Sequence, residues 1–494
     1  MKRSVDYRRK YVLIIGSFMM LLFVSFLVLR YKYMDHFLPG KRYQFSPSEH
    51  PVSNRDTWKT IFMQNQKIGY AHSQFIAIGN GYQVFESIFM RINVMGMLQD
   101  IYMNTSGVLK SDFTLGGFDF ELRSGQLKFT STGSVDGNEL NLTTQILNDT
   151  RKQRIPLSDK LFLAAGIMDA VRAANLSAGN KMIFHIFDPS SMQELPFQVQ
   201  NIGHEEMMTM GKKIKATKVS LKYKDMIQLS WLDEHGEVIK ESSFLGIHTE
   251  KTTKEDALKG IASNIDDLAV SFSIPSNLTI TSPEKVGCLT LDIKGIDFKD
   301  LHLSDDRQQY NGTQLTVCKE TLEGLPDKFN MDDVNAKDTQ PEALIQSDHP
   351  KIVEMVNQIV DQHDLPVKKI EKLITWIQNT IRRQPVLSLP NALTTLEYKM
   401  GDCNEHAVLL AAFARASGIP ARVNAGLVYL NGRFYYHAWN SVFLGRWITA
   451  DAIFNQIPAD ATHIRLVSNA SDFQIDLLSI IGKLSINVVD IKML

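Results

Sequence analysis

The sequence predicts an α+β protein in three parts: an N-terminal transmembrane helix, an antiparallel β-rich exported region, and a C-terminal domain in which helices precede a β-hairpin. Three observations predict it. Tyr11 to Leu29 runs 19 residues without a charge. Residues 51–320 alternate apolar and polar side chains in short runs broken by turn residues, and from Ile352 onward the apolar spacing becomes helical. The 494 residues carry 53 Lys and Arg against 54 Asp and Glu, a net of -1, with a hydrophobic fraction of 44%. That balance excludes a disordered or fibrous chain. It holds no long basic block, which argues against nucleic acid as a partner. Three cysteines are too few for a disulfide framework and are not spaced as a zinc site.

The apolar run over 11–29 is long enough to cross a hydrocarbon core of about 30 Å. Lys2, Arg3, Arg8, Arg9 and Lys10 precede it against the single acid Asp6, so the positive-inside rule keeps a tail of residues 1–10 in the cytoplasm. A cleaved signal peptide is the rival reading. Its apolar region would be shorter, and Arg30-Tyr31-Lys32-Tyr33 offers no small-residue cleavage site. The expectation is a single-pass membrane protein, with a linker over 30–50 and the bulk periplasmic or extracellular. Residues 1–30 hold six basic groups and one acid, so the remainder keeps 47 basic and 53 acidic groups, a net of -6. That favours solubility and says little about substrate.

Residues 51–260 read as a β-rich domain. Tyr82 to Phe85, Gly117 to Leu122, Gln126 to Phe129, Lys218 to Tyr223 and Ile227 to Trp231 alternate as strands with one wet face. Asn80-Gly81, Asp136-Gly137 and His235-Gly236 mark turns. One stretch, Ser158 to Ala174, has helical spacing at Leu161, Leu163, Ile167, Met168 and Val171 and is expected to plug or cap the sheet. Residues 261–320 form a smaller β module. In it Cys288 and Cys318 sit in two strands, as a disulfide or as two buried thiols. Residues 321–343, rich in Asp, Pro, Asn and Gln, read as a linker.

The last domain spans 344–494. Ile352, Met355, Val356, Ile359 and Val360 share one helical face, and Pro366 opens a second helix carrying Ile370, Leu373, Ile374, Ile377 and Ile381. After a short third segment, Ala392 to Lys399, comes Met400-Gly401-Asp402-Cys403-Asn404-Glu405-His406, which leads into a helix that Gly418 and Pro420 end. Cys403 therefore stands at a helix N-terminus, where the dipole and free N–H groups favour a thiolate. A buried structural cysteine is the plain alternative. Downstream, Arg433 to Leu444 reads as a strand with His437, Trp439 and Ser441 on one face. Arg446 to Asp451 is its hairpin partner after Gly445. A three-residue loop puts Asp451 opposite Trp439 and diagonal to His437 on the same side, and that loop is predicted. Cys403, His437 and Asp451 would then supply a thiolate, an acid or base, and a carboxylate that fixes the imidazole tautomer.

Four pieces in this order resemble the transglutaminase-like superfamily of papain-related fold. They are Gly401-Asp402-Cys403, Arg415-Ala416-Ser417-Gly418-Ile419-Pro420-Ala421-Arg422, His437-Ala438-Trp439, and Trp447-Ile448-Thr449-Ala450-Asp451-Ala452. The resemblance covers about Leu344 to Leu494 and implies a bacterial source, which would make the membrane the cell inner membrane. It implies a catalytic triad of Cys403, His437 and Asp451 acting on amide bonds of a protein or peptide substrate. Whether the acyl group passes to water, as in a protease or amidase, or to an amine, as in a crosslinker, stays open. Cell-envelope components are further expected partners. After Asp451 the chain reads Ala452-Ile453-Phe454 where many relatives continue Pro-Thr. The Cys403 N–H would form half of an oxyanion hole. Asp402 and Glu405 are read as helix-start carboxylates, His406 and His463 as packing residues, and Trp439 and Trp447 as core. No cofactor is implied. No metal is implied either, since calcium-loop patterns are lacking. The competing function is a non-catalytic cell-envelope binding or assembly module with the same fold.

Overall fold

The structure is a computed structural model and describes residues 41–42 and 54–494, except 126, 147–148, 158, 224–225, 244–245, 299–300, 302, 332–333, 343, 386–390 and 469–479. The expected cytoplasmic tail, the membrane helix over 11–29 and most of the 30–50 linker lie outside it. Among the described residues no helix is long and apolar enough to cross a membrane, and strands predominate. The fold class is therefore corrected to a β-rich region followed by an α+β domain, with no membrane-spanning helix among the described residues. The single-pass inner-membrane placement is corrected with it, since no helix among the described residues can cross a membrane.

Alternation in the first half builds one sixteen-stranded sheet, mostly consecutive antiparallel hairpins. The Asp136-Gly137 turn closes as a two-residue loop between the paired residues Asp136 and Glu139; Gly137 there has φ 57°, a conformation that suits glycine. The inner face gathers Phe75, Leu109, Phe118, Phe162 and Phe184 into one core. The stretch expected as one helix over Ser158 to Ala174 divides. Leu161–Leu163 is a buried strand parallel to His185–Phe187, and only Ile167–Ala173 is α-helical and packed in that core. A short fully apolar run fits a buried strand as well as a helix, and the edge of the sheet claims it.

The strands around the disulfide-bonded Cys288 and Cys318 do not stand apart. Val286–Lys294 pairs on one side with Gln314–Cys318 and on the other with the last strand, Ser485–Met493. Residues 321–343, expected as a linker, are strapped onto the domain that follows. Arg422 holds Asp338 at 2.7 Å and Arg415 holds Glu342 at 2.8 Å, while Arg446 donates to the carbonyls of Thr321 and Glu323. Polar composition reads as linker, but these carboxylates pair with arginines of the domain's helix and sheet.

The C-terminal domain has three layers. Helices Pro350–Ile359, Pro366–Thr380 and Ala392–Tyr398 surround the central helix Cys403–Ala416. Ile352, Ile370, Leu373 and Ile377 meet Val408, Leu409, Leu410 and Phe413 in one core. Each such fully buried side chain is worth roughly 1.5–3 kcal/mol. The middle layer is an antiparallel sheet of Ala421–Leu430, Arg433–Phe443, Trp447–Ala450 and Ile464–Ser468. Its far face packs Leu427, Tyr429 and Phe434 on the disulfide-bonded sheet.

Candidate active site

The central helix starts where its sequence dictates. Asp402 accepts from Asn404 N–H at 2.8 Å, and Glu405 accepts from Asp402 N–H at 2.9 Å, a capping box. Gly401 matters for space: a Cβ there would lie 2.3 Å from the Glu405 Cβ, so only glycine lets the box close. The cap takes the next N–H groups and leaves the Cys403 N–H at the open end of the helix.

The neighbouring strand completes the setting. Along one edge of Arg433–Phe443, Ile274–Pro275 pairs at Arg433 and Phe434, and Trp447–Ala450 pairs from Asn440 to Phe443. Between them that edge has no strand partner among the described residues, and there the Ala438 N–H donates to the Cys403 sulfur. The sulfur thus lies against the residue next to His437. Asn440 fastens the same strand to the helix through Ala407 O at 2.9 Å.

The hairpin has the predicted loop. Phe443 pairs with Trp447, leaving Leu444 to Arg446 as three loop residues, and Asn440 pairs with Ala450. Asp451 then follows on the side of His437, and His437 Nε2 meets Asp451 Oδ2 at 2.6 Å. Both are buried, at 7% and 1% exposure. Nε2 is committed to the carboxylate, so Nδ1 is the ring nitrogen left for proton exchange. The other Asp451 oxygen accepts from Ile453 N–H at 2.6 Å and Phe454 N–H at 3.0 Å. The Ala452-Ile453-Phe454 departure therefore serves the carboxylate through backbone groups that many residue types could supply.

Burial opposes the Asp451 charge, but the charge and hydrogen bond of His437, with those of His463, outweigh it and hold the carboxyl far below the usual range. For Cys403 the balance is opposite to the expected thiolate. The residue keeps partial exposure, yet burial pushes the thiol well up, and the Asp402 charge adds to this. The Ala438 N–H lowers it, and Glu405 and Asp451 raise it further. Burial first, and then the Asp402, Glu405 and Asp451 charges, outweigh the Ala438 N–H. Glu405 is itself pushed well up by burial and by Asp402.

His406 is no base: it is buried, its Nδ1 faces Asp402 O at 2.7 Å, and burial lowers its pKa. Trp439 is core as expected, while Trp447 is half-buried beneath the Arg422 guanidinium at 3.8 Å. His463, read from the sequence as a packing residue, stands in the site itself. Its Nε2 lies 3.0 Å from the Asp451 oxygen that holds His437, and its Nδ1 lies 3.3 Å from Asp460 Oδ1. It reaches that place because Gly426, opposite His437, lets Ile464 O approach to where a Cβ would stand 1.9 Å away. The available signal was Asp460-x-x-His463, an acid and a histidine three residues apart.

His437, Asp451 and His463 bring three donor atoms within 4.8 Å, the one such cluster among the described residues. Their 2.6 and 3.0 Å separations are those of hydrogen bonds. Two tetrahedral ligands at about 2.0 Å from one zinc stand roughly 3.3 Å apart. The cluster is built to share protons and does not fit an ion as it stands.

Residues 353–452 match the Transglutaminase-like superfamily. This part of the chain is a transglutaminase-like domain. No curated protein matches the chain. Among solved structures, similarity extends to a candidate cysteine protease from Cytophaga hutchinsonii, at 17% identity and a TM-score of 0.28, over 42% of this chain and 86% of that one. It extends also to a β-barrel-like protein of unknown function from Brucella abortus, at 10% identity and a TM-score of 0.33, over 41% and 98%. A candidate protease from Parabacteroides distasonis shares 10% identity with a TM-score of 0.20, over 66% and 64%.

Proposed function

We propose that the transglutaminase-like domain is a cysteine acyl-transfer enzyme acting on amide bonds of a protein or peptide, with Cys403 as nucleophile. The observation that carries this reading is the buried His437 Nε2 to Asp451 contact at 2.6 Å, set on the strand whose Ala438 N–H touches the Cys403 sulfur. Because the resting thiol is held protonated, its proton passes to His437 Nδ1 as the sulfur bonds to the carbonyl carbon. Asp451 stabilises the imidazolium that forms. The Cys403 N–H faces the developing oxyanion. Collapse of the tetrahedral adduct breaks the C–N bond, and His437 returns the proton to the leaving amine. Water or a second amine then releases the acyl group, with His437 acting in reverse.

A non-catalytic binding or assembly module is favoured by one observation, the burial and the nearby carboxyl groups that push the Cys403 thiol up. The two readings part on an acyl-enzyme. The protein is incubated with an activated peptide ester, quenched in acid and weighed intact. The enzyme reading expects the mass of one acyl group on Cys403, lost in Cys403→Ala and strongly reduced in His437→Ala. Folded protein that never acquires the adduct supports the binding module. Adding a primary amine during turnover separates transfer to amines from hydrolysis by the product formed.

A further inference from the structure

We propose that His463, clamped between Asp451 and Asp460, is a positioning residue that fixes the Asp451 carboxylate and weakens its pull on the His437 proton. The rate consequence rests on the acyl-transfer reading above; the geometry does not. Asp451 Oδ2 is shared by two imidazoles, His437 Nε2 at 2.6 Å and His463 Nε2 at 3.0 Å. Its other oxygen is filled by Ile453 and Phe454 N–H groups, so the carboxylate has one orientation.

On its far side His463 Nδ1 meets Asp460 Oδ1 and the Asp460 carbonyl, each at 3.3 Å. A neutral imidazole has one N–H and one bare nitrogen, and a bare nitrogen here would face a carboxylate on one side or the other. The arrangement is satisfied when both nitrogens carry protons. Asp460 is held in turn by Thr462 at 2.6 Å and Gln456 at 2.9 Å. The charged and titratable groups around His463 are Asp451, Asp460 and His437, with the Arg307 guanidinium donating to the Asp460 carbonyl. The edges of Trp439 and Phe454 close the remaining sides. In agreement, burial works against the His463 charge, yet the hydrogen bonds and charges of Asp451 and Asp460 raise its pKa to about 9, while Asp460 is lowered to about 2.

A standing cation with its ring centre 5.8 Å from that of His437 offsets part of the Asp451 charge that His437 feels. With Asp451 alone, His437 would hold its proton more tightly. That would suit taking a proton from Cys403 but slow its return to the leaving amine. Sharing the carboxylate with His463 brings the two halves of the cycle closer to balance.

The test uses the full chain and needs no substrate. The rate of Cys403 alkylation by iodoacetamide is recorded against pH for the parent, His463→Gln and His437→Ala, with thermal unfolding alongside. The glutamine amide of His463→Gln retains an N–H for Asp451 and removes the charge. The inference expects the His437-dependent limb of the profile to move up by about one pH unit, roughly tenfold in rate at a pH well below both midpoints and about threefold midway between them. A lower Tm with an unmoved midpoint means a structural role only and overturns it. Should His463→Gln not fold, Asp460→Asn is expected to move the alkaline part of the profile in the same direction by less. The histidine ring nitrogens of the parent are read by NMR, and a neutral His463 ring at pH 7.5 overturns the inference whatever the variants do. A parent with no His437-dependent limb but a doubly protonated His463 ring would count against the acyl-transfer reading alone.

Discussion

Replacing Asp451 with Asn is the sharpest single perturbation of the site. The Asn oxygen can still accept from the Ile453 and Phe454 N–H groups, so the local turn survives. What changes is the other oxygen, which becomes an NH2 facing two imidazole N–H donors at 2.6 and 3.0 Å. Two charge-assisted hydrogen bonds are lost, each worth about 1.5–3 kcal/mol, and both partners are buried. The expected loss is on the order of 4 kcal/mol near pH 6, or very roughly 8–16 °C in the unfolding of this domain. The pH dependence carries a sign. The Asp451 carboxyl is lowered in the fold, so its contribution is present above the ordinary value near 3.8 and disappears as pH falls toward the folded value. His463 is raised from 6.5 to about 9, so its contribution is full below pH 6.5 and disappears as pH rises through about 9. The gap between parent and variant, measured by calorimetry, should be widest between about pH 4 and 6.5 and narrow on both sides. A loss under about 1 kcal/mol at pH 6, or one constant from pH 3 to 10, refutes the reasoning.

Three further outcomes follow from other contacts. Asp402→Asn keeps a good N-cap, so stability should stay within about 0.5 kcal/mol while the Cys403 thiol pKa falls, read as faster alkylation near neutral pH; an unchanged profile means that Asp402 is not the second cause of the upward shift. Gly401→Ala should push the Glu405 side chain out of the capping box and cost about 1–3 kcal/mol by thermal melt, whereas neutrality would mean the turn adjusts freely. Reducing the Cys288 to Cys318 bond, which closes a separation of 30 residues, should cost about 3–4 kcal/mol, measured as the shift in urea midpoint with and without reductant.

Much of this was legible in the sequence because strong local rules act together. Asp402 and Glu405 announce the helix start, and Ile370, Leu373, Ile374 and Ile377 keep helical spacing and are all buried. The loop count from Phe443 to Trp447 places Asp451 beside His437. What was not legible depends on contacts between distant segments. His463 was read as a packing residue because its contact with Asp451 and the approach of Ile464 O to Gly426 leave no periodic trace. Asp338 and Glu342 sit in a stretch with linker composition and bind arginines more than 70 residues away. The thiol at Cys403 was misjudged because the dipole is a property of the helix alone, while Asp402, Glu405, Asp451 and burial act on the same sulfur from several segments.

The central claim is that Cys403 and His437 exchange a proton. Iodoacetamide alkylation of Cys403 at pH 7, in parent and His437→Ala, tests it most directly. Parent protein should react at least about tenfold faster, with a pH profile that follows a histidine, while His437→Ala should react only as pH climbs through the alkaline ionisation of a buried thiol. Equal rates and identical profiles in two folded proteins would contradict it.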